Sequence, residues 1–332
     1  MSVTPTVIVV THRGASVIGS LLDSLARQTA EHQTIVVDNG STDGTAAVLD
    51  SHAEVDVVRS ERNVGFSAAV NLAAGRAEGE ALVLVNDDCV CDPGFVQEIA
   101  GALDPPAGVV MAAGVMRDAR DERLIDTAGM ELDATLLVFD YLNGEPVSIL
   151  EQPGLADPVG PSGAAAAIDR SAFIESGGFD EALFAYWEDV DLVLRLRSIG
   201  GRCVLARRAR GTHLHSATLG PGSAAKNRLV GFGRGYVLRK WGALTPRRLP
   251  AVLLRDGPIC LGQIVIDRSA AGLSGRVRGW RAASPVSSFP AGALDRRLAP
   301  GLGRNLARRL RRRLRRRRRL RRAAARGPGS GA

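Results

Sequence analysis

With 332 residues, 45% of them hydrophobic, the chain can bury a sizeable core in one large α/β domain or two lobes. It has no run of about 18 apolar residues, so no membrane-spanning helix is predicted. Its cysteines, Cys89, Cys91, Cys203 and Cys260, are too few and too irregular for a disulfide framework and read as ordinary thiols in a reducing compartment. The net charge of +8 is local: residues 304–332 carry 14 arginines and no acid, which leaves a body with 29 basic and 35 acidic residues, −6 in all. The opening MSVTPTVIVVTHRGAS lacks a basic n-region and enters an apparent strand at once, which argues against a signal peptide.

Thr6–Val10 is a continuous apolar run, as expected for a strand covered on both faces. Val17–Thr29 repeats apolar residues with a helical period. Gln33–Val37 is a second strand ending at Asp38, and DNGSTDGT is a turn that caps a helix running to about Ser51. Val55–Val58 is a third strand, Asn63–Arg76 a helix, and Ala81–Val85 a fourth strand. This βαβαβαβ series predicts a largely parallel sheet with right-handed crossovers. A helix over Gly94–Leu103 and a strand near Val109–Val115 follow. Residues 117–160 show no period. Beyond them come the small-residue run Ala164–Ile168, a tight turn at Gly177–Asp180, a helix over Leu192–Ser198, a strand at Cys203–Ala206, and Thr212–Ser216 with His213 and His215.

Polar clusters recur at or just after the carboxyl ends of the first four strands: Thr11–His12–Arg13, Asp38, Arg62–Asn63 and Asn86–Asp87–Asp88. In an open α/β sheet this edge is where ligands sit, and hard oxygen ligands there suit Mg²⁺ or Mn²⁺ beside a diphosphate. No GxGxxG follows the first strand and no GxxxxGK[ST] occurs, which leaves a metal and side chains to hold phosphates.

Five segments occur together in order: VIVVTHRGASVIGSLLDSLARQT, IVVDNGSTDGT, RNVGFSAAVNLAAGRAEGEALVLVNDDCV, SGAAAAIDRSAFIESGGFDEALFAYWEDVDLVLRLR and THLHSATLG. On these segments the chain resembles the family-2 glycosyltransferases, in their rhamnosyltransferase-like branch. The resemblance implies the glycosyltransferase-A fold, an α/β architecture with one Rossmann-like mixed sheet flanked by helices, followed here by a C-terminal helical extension. It implies a catalytic domain over 1–240, with a nucleotide half at 1–115 and an acceptor half at 116–240, then the extension at 241–303 and an Arg-rich tail at 304–332.

Carried over residue by residue, the resemblance implies that Thr11, His12 and Arg13 form the first nucleotide loop and that Asp38 contacts base and ribose. Asn63, Gly65 and Asn71 lie near the diphosphate and donor sugar. Asn86–Asp87–Asp88 stands at the family's DxD position with Asn in place of the first acid, so Asp88 is the main carboxylate ligand, with Asn86 and Asp87 beside it. His213 is implied as a metal or diphosphate ligand, with His215 as the alternative. Asp189, in the Glu188–Asp189 pair, is implied as the general base that an inverting displacement requires, opposite a metal that neutralises the leaving diphosphate. Ser162, Gly163, Trp187 and Glu188 are assigned to the acceptor side. Tyr186 and Trp187 either wall the sugar or pack, and Asp191 fits the acidic first turn of a helix, paired with Arg195.

The expected donor is a nucleoside diphosphate sugar, with dTDP-rhamnose preferred over UDP- and GDP-sugars. The expected acceptor is a glycan or a polyprenyl-linked glycan of the cell envelope. LPAVLLRDGPICLGQIVI holds Arg255 and Asp256 inside it, so it does not span a bilayer; it either lies on a surface or packs on the catalytic domain. Leu302, Leu306, Leu310 and Leu314 recur four apart among arginines, the pattern of a basic helix on an anionic membrane surface. The enzyme is therefore expected in the cytoplasm, peripheral on the inner face of the plasma membrane, and nucleic acid is the less favoured partner because the body is acidic. The competing functions are a sugar-phosphate nucleotidyltransferase and a non-catalytic nucleic-acid-binding protein.

Overall fold

The computed structural model describes residues 4–214 and 223–286. His215, residues 287–303 of the extension and the Arg-rich tail lie outside the described residues. The first half runs β1 (Pro5–Thr11), α1 (Ile18–Ala26), β2 (Gln33–Asn39), α2 (Thr45–Asp50), β3 (Asp56–Ser60), α3 (Phe66–Ala74), β4 (Ala81–Val85), β5 (Cys89–Cys91), α4 (Phe95–Ala100) and β6 (Val109–Asp118). It continues with β7 (Asp121–Thr127), β8 (Met130–Leu132), β9 (Val138–Asp140), β10 (Ala165–Asp169), α5 (Arg170–Glu175), α6 (Glu188–Ser198) and β11 (Arg202–His213), and ends in α7 (Ala224–Lys240), α8 (Leu249–Val265) and α9 (Ala271–Ala282).

The main sheet has the order β3-β2-β1-β4-β10-β6-β11-β5, with β7 beside β6. β3, β2, β1 and β4 are parallel, as the βα series predicts. The βα series alone predicts a largely parallel sheet; β10 enters antiparallel between β4 and β6 and makes the sheet mixed, as the resemblance implies. Its register sets Ala165 opposite Val85, so the turn before β10 arrives at the carboxyl end of β4.

Both faces of the sheet are covered, which explains the unbroken apolar strands. Val7, Val9, Val36 and Val83 pack with α1 and α4 residues such as Leu21, Leu22, Phe95 and Ile99. Their neighbours Ile8, Ile35, Leu82 and Leu84 pack on the other side with Ala69, Val70 and the apolar residues of α6. Among the helices that follow the sheet, α7 and α9 approach closely through glycines. A β-carbon on Gly235 would lie 2.0 Å from the Arg276 carbonyl oxygen, and one on Gly279 would lie 1.9 Å from that of Phe232.

Two predicted helix starts shift. The helix expected from Asn63 begins at Phe66, because Gly65 takes φ 92° and delivers its chain against the Phe184 carbonyl, which accepts from Phe66 N at 2.6 Å. The helix expected at Leu192 begins at Glu188, which puts Glu188, Asp189 and Asp191 in its first turn.

Candidate active site

The polar clusters after β1, β2, β3 and β4 meet on one edge and are tied to one another. Thr11 Oγ1 donates to Asp87 Oδ2 at 2.7 Å. Arg13, in the left-handed region at φ 59°, donates its backbone N–H to Ser41 Oγ at 2.9 Å. His12 Nδ1 lies 3.0 Å from the Asn39 carbonyl. Asp38 is buried, and its Oδ1 accepts from Ser41 N at 3.0 Å. Asn39, which the sequence reading left inside a turn, is the clamp of this edge: its Oδ1 accepts from Val64 N at 2.8 Å and its Nδ2 donates to the Gly65 carbonyl at 3.1 Å. Asn63 Oδ1 accepts from Gly65 N at 2.9 Å, closing the same loop. Burial raises the Asp87 carboxyl to about 6 against the opposing hydrogen bond from Thr11.

Asn71 sits elsewhere. Its side chain donates to the Phe179 carbonyl at 2.9 Å and to Glu181 Oε1 at 3.0 Å, and accepts from Phe179 N at 2.8 Å. In this structure it braces the Gly177–Asp180 turn.

At the centre, His213 Nε2 lies 3.1 Å from Asp88 Oδ1 and His213 Nδ1 lies 2.9 Å from Asp126 Oδ2. Leu214 N donates to the Asp88 carbonyl at 2.8 Å, fixing the end of β11 against the end of β4. Asp126 belongs to the stretch whose sequence showed no period. Burial pulls the His213 imidazole down, and the hydrogen bonds to Asp126 and Asp88 more than reverse it, raising it to about 9. Asp88, Cys89 and His213 can each point one ligand atom into a common space, all within 4.8 Å of one another. Burial holds the Cys89 thiol well above its ordinary value, so it stays protonated. Once an ion displaces the proton from His213 Nε2, the donors facing it would be that nitrogen and the Asp88 oxygen, a set that fits Mn²⁺ or Mg²⁺ better than a thiolate-seeking ion.

The second carboxylate pair stands in the first turn of α6. Tyr186 and Trp187 both lie in the left-handed region, at φ 69° and 79°, a strained conformation for bulky residues. That double bend starts α6 at Glu188. Trp187 is buried and turned inward, with the Arg234 guanidinium carbon 5.5 Å from its ring centroid, so it packs; Tyr186 has Lys226 Nζ at 5.5 Å. Asp189 Oδ1 accepts from Val190 N at 2.8 Å, and the Gly163 backbone N–H also bonds its carboxylate. Asp189 borders an apolar cavity lined by Leu84, Met111, Ile168 and Phe179. Burial there raises its proton affinity, and the two backbone N–H groups oppose the rise. Glu188 is buried with no hydrogen-bond partner on Oε2 among the described residues, and burial followed by the Asp189 charge pushes it well up. Asp191 is fully buried and accepts from Arg195 Nε at 2.9 Å, Lys240 Nζ at 2.9 Å and Trp241 Nε1 at 3.0 Å, so it is the structural acid that the sequence suggests.

The Ser162–Ala165 turn joins the two groups of acids. Gly163 N bonds Asp189, Cys89 Sγ donates to the Ala164 carbonyl at 3.8 Å, and Ser162 Oγ lies 3.4 Å from the Oγ1 of Thr127, the neighbour of Asp126. Asp189 and the neighbours of Asp88 and Asp126 therefore border the same short turn.

Residues 6–147 match the sequence model of glycosyl transferase family 2. Over 248 residues the chain is 31% identical to N-acetylglucosaminyl-diphospho-decaprenol L-rhamnosyltransferase of Mycobacterium tuberculosis, covering 65% of this chain and 78% of that protein. The chain belongs to glycosyl transferase family 2. This family-2 glycosyltransferase, rhamnosyltransferase-like in its relatives, is also 26% identical over 191 residues to the uncharacterized glycosyltransferase YwdF of Bacillus subtilis, covering 57% of this chain and 66% of that protein. Among solved structures it resembles GalNAc-T7 with UDP, GalNAc and Mn²⁺, at TM-score 0.57 and 17% identity over 72% of this chain and 48% of that one. It also resembles the mannosyltransferase PcManGT of Pyrobaculum calidifontis with GDP-Man and Mn²⁺, at TM-score 0.51 and 20% identity over 88% and 78% of the two chains. The fold is glycosyltransferase-A, and the chain is an enzyme of glycosyl transfer. Membership displaces the nucleotidyltransferase and nucleic-acid-binding readings.

Proposed function

We propose that this family-2 glycosyltransferase is inverting and divalent-cation-dependent, and moves a sugar from a nucleoside diphosphate donor to a glycan or polyprenyl-linked acceptor of the cell envelope. The preferred donor is dTDP-rhamnose, supported by the named activity of the Mycobacterium tuberculosis relative. The observation that supports the reading is that one short turn, Ser162–Ala165, touches Cys89, the neighbour of Asp88, through the Ala164 carbonyl and lines a cavity with Asp189 through Ser162 and Gly163.

The loops at Thr11–Arg13, Asp38–Ser41 and Asn63–Gly65 bind and orient the nucleotide. Asp88 and His213 would hold a Mg²⁺ or Mn²⁺ ion, which would supply positive charge to the departing diphosphate. Asp189 takes the proton of the acceptor hydroxyl as its oxygen attacks the anomeric carbon. The new C–O bond forms on one face, the bond to the diphosphate breaks on the other, and the leaving group departs as nucleoside diphosphate. The raised proton affinity of Asp189 suits this task, since a carboxylate at its ordinary value is a weak base. The enzyme works in the cytoplasm at the inner face of the plasma membrane, with the Arg-rich tail drawn to anionic lipid.

The experiment is Asp189→Asn. Transfer from dTDP-rhamnose should fall by about 10²–10⁴-fold with Mn²⁺-dependent donor binding intact. Near-parental turnover would remove Asp189 from the mechanism.

A further inference from the structure

Helix α8 is built inside out. Its exposed positions are all apolar or glycine; Leu253, Leu254, Leu261, Ile264 and Val265 are between 44% and 65% exposed. Its charged residues point the other way, into the protein. Asp256 is buried and accepts from Arg234 Nη2 at 2.8 Å and Arg276 Nε at 3.1 Å, while Arg255 Nε donates to Asp133 Oδ2 at 2.6 Å. Gln263 on the same inner side donates to Asn227 Oδ1 at 3.2 Å. A surface helix in water has the opposite pattern. Four ion-paired or hydrogen-bonded contacts fix the orientation, so rotating α8 to hide its leucines would strand buried charges.

We infer that the outer face of α8 seats the enzyme on an anionic bilayer, lying in the plane of the interface with Leu253, Leu254, Leu261 and Val265 among the acyl chains. The charge around it selects lipid over a second copy of the chain. Arg247 precedes α8 and Arg268 follows it, both exposed. On α9, exposed Arg278 and Arg281 accompany exposed Leu273 and Val277. The 14 arginines of residues 304–332 come later in the same chain. Two copies joined through α8 would bring these cations together, whereas anionic headgroups neutralise them. Among the described residues no helix is long and apolar enough to cross the membrane, so α8 docks from one side. The inference deepens the polyprenyl-acceptor reading and rests on it for its purpose, because a seated enzyme meets such an acceptor at the surface where its head emerges.

The test is flotation of the full chain with vesicles of phosphatidylglycerol and phosphatidylcholine. The parent should float, and should keep part of its binding in about 1 M salt, where charge attraction is screened within roughly 3 Å. A variant with Leu253→Gln, Leu254→Gln, Leu261→Gln and Val265→Gln should lose about tenfold in bound fraction at equal lipid. Its circular dichroism and donor binding should match the parent, because all four positions are exposed. The inference is overturned if the variant floats as well as the parent, if the parent's binding vanishes in high salt, or if the four substitutions instead turn a dimer into a monomer in sedimentation. None of these readouts involves sugar transfer, so an inactive enzyme that floats as described would sink the proposed function and leave the membrane seat standing.

Discussion

Asp126 Oδ2 stands 2.9 Å from His213 Nδ1, on the side of the ring away from Asp88. A carboxylate in that place fixes the imidazole's orientation and tautomer, leaving Nε2 for a ligand. We predict that Asp126→Asn weakens Mn²⁺ binding by about 10–100-fold, measured by calorimetric or paramagnetic-resonance titration, with far-UV dichroism unchanged. Parental affinity would show that Asp126 has no part in the metal corner.

Gly14 packs where no side chain fits. A β-carbon there would lie 2.1 Å from Thr11 Oγ1 and 2.8 Å from Asp87 Oδ2, within the hydrogen bond that joins the first and fourth loops. Gly14→Ala should therefore weaken nucleotide binding by about tenfold, the worth of roughly one hydrogen bond to a charged group. Fluorescence titration with the nucleoside diphosphate reads this directly, and unaltered affinity would detach Thr11–Asp87 from donor binding.

Arg234 is fully buried, pairs with Asp256 and donates to the Thr135 carbonyl at 2.9 Å while lying over Trp187. Arg234→Met leaves Asp256 with Arg276 as its ion-pair partner among the described residues and removes the support under the bend. We expect a loss of about 3 kcal/mol in denaturant unfolding, together with a lower kcat and a nearly unchanged donor KM. A fall in stability with normal kcat would confine Arg234 to folding.

Lys240 Nζ lies 2.6 Å from Asp180 Oδ2 and 2.9 Å from Asp191 Oδ2. Burial pushes the Asp180 carboxyl up, and Lys240 and the Tyr236 hydroxyl more than reverse it, so it ends below its ordinary value. A depressed folded-state value stabilises the fold above the unfolded value, near 3.9, and that gain is lost as the pH falls through the folded value. Lys240→Met should cost about 1–3 kcal/mol at neutral pH and shift acid unfolding to higher pH. An unmoved acid midpoint would refute the linkage.

The parallel half of the sheet was legible because β1, β2 and β4 each carry an unbroken apolar stretch that ends in a polar loop. Direction was not legible at Ala165–Asp169, since a run of alanines fits either sense and only its neighbours β4 and β6 decide. Asp126 was hidden because β7 opens on charged residues and buries only its last three, while β8 and β9 have three residues each, giving no period to follow. Asn39 escaped notice inside DNGS, where an Asn needs no further reason than a turn. The inverted character of α8 could have been found: Arg255, Asp256 and Gln263 share one side of a helical projection, with Leu254, Leu261 and Val265 opposite.

Trp187 occupies a backbone region that costs a bulky residue about 1–3 kcal/mol, and what offsets that cost comes from α7, which lies past the 6–147 segment shared with the wider family. The bend that presents Glu188 and Asp189 is thus not self-supporting. A piece of the chain ending before α7 would keep Glu188 and Asp189 and lose the Arg234 contact behind Trp187, and a chimera given another relative's C-terminal helices would hold that bend differently.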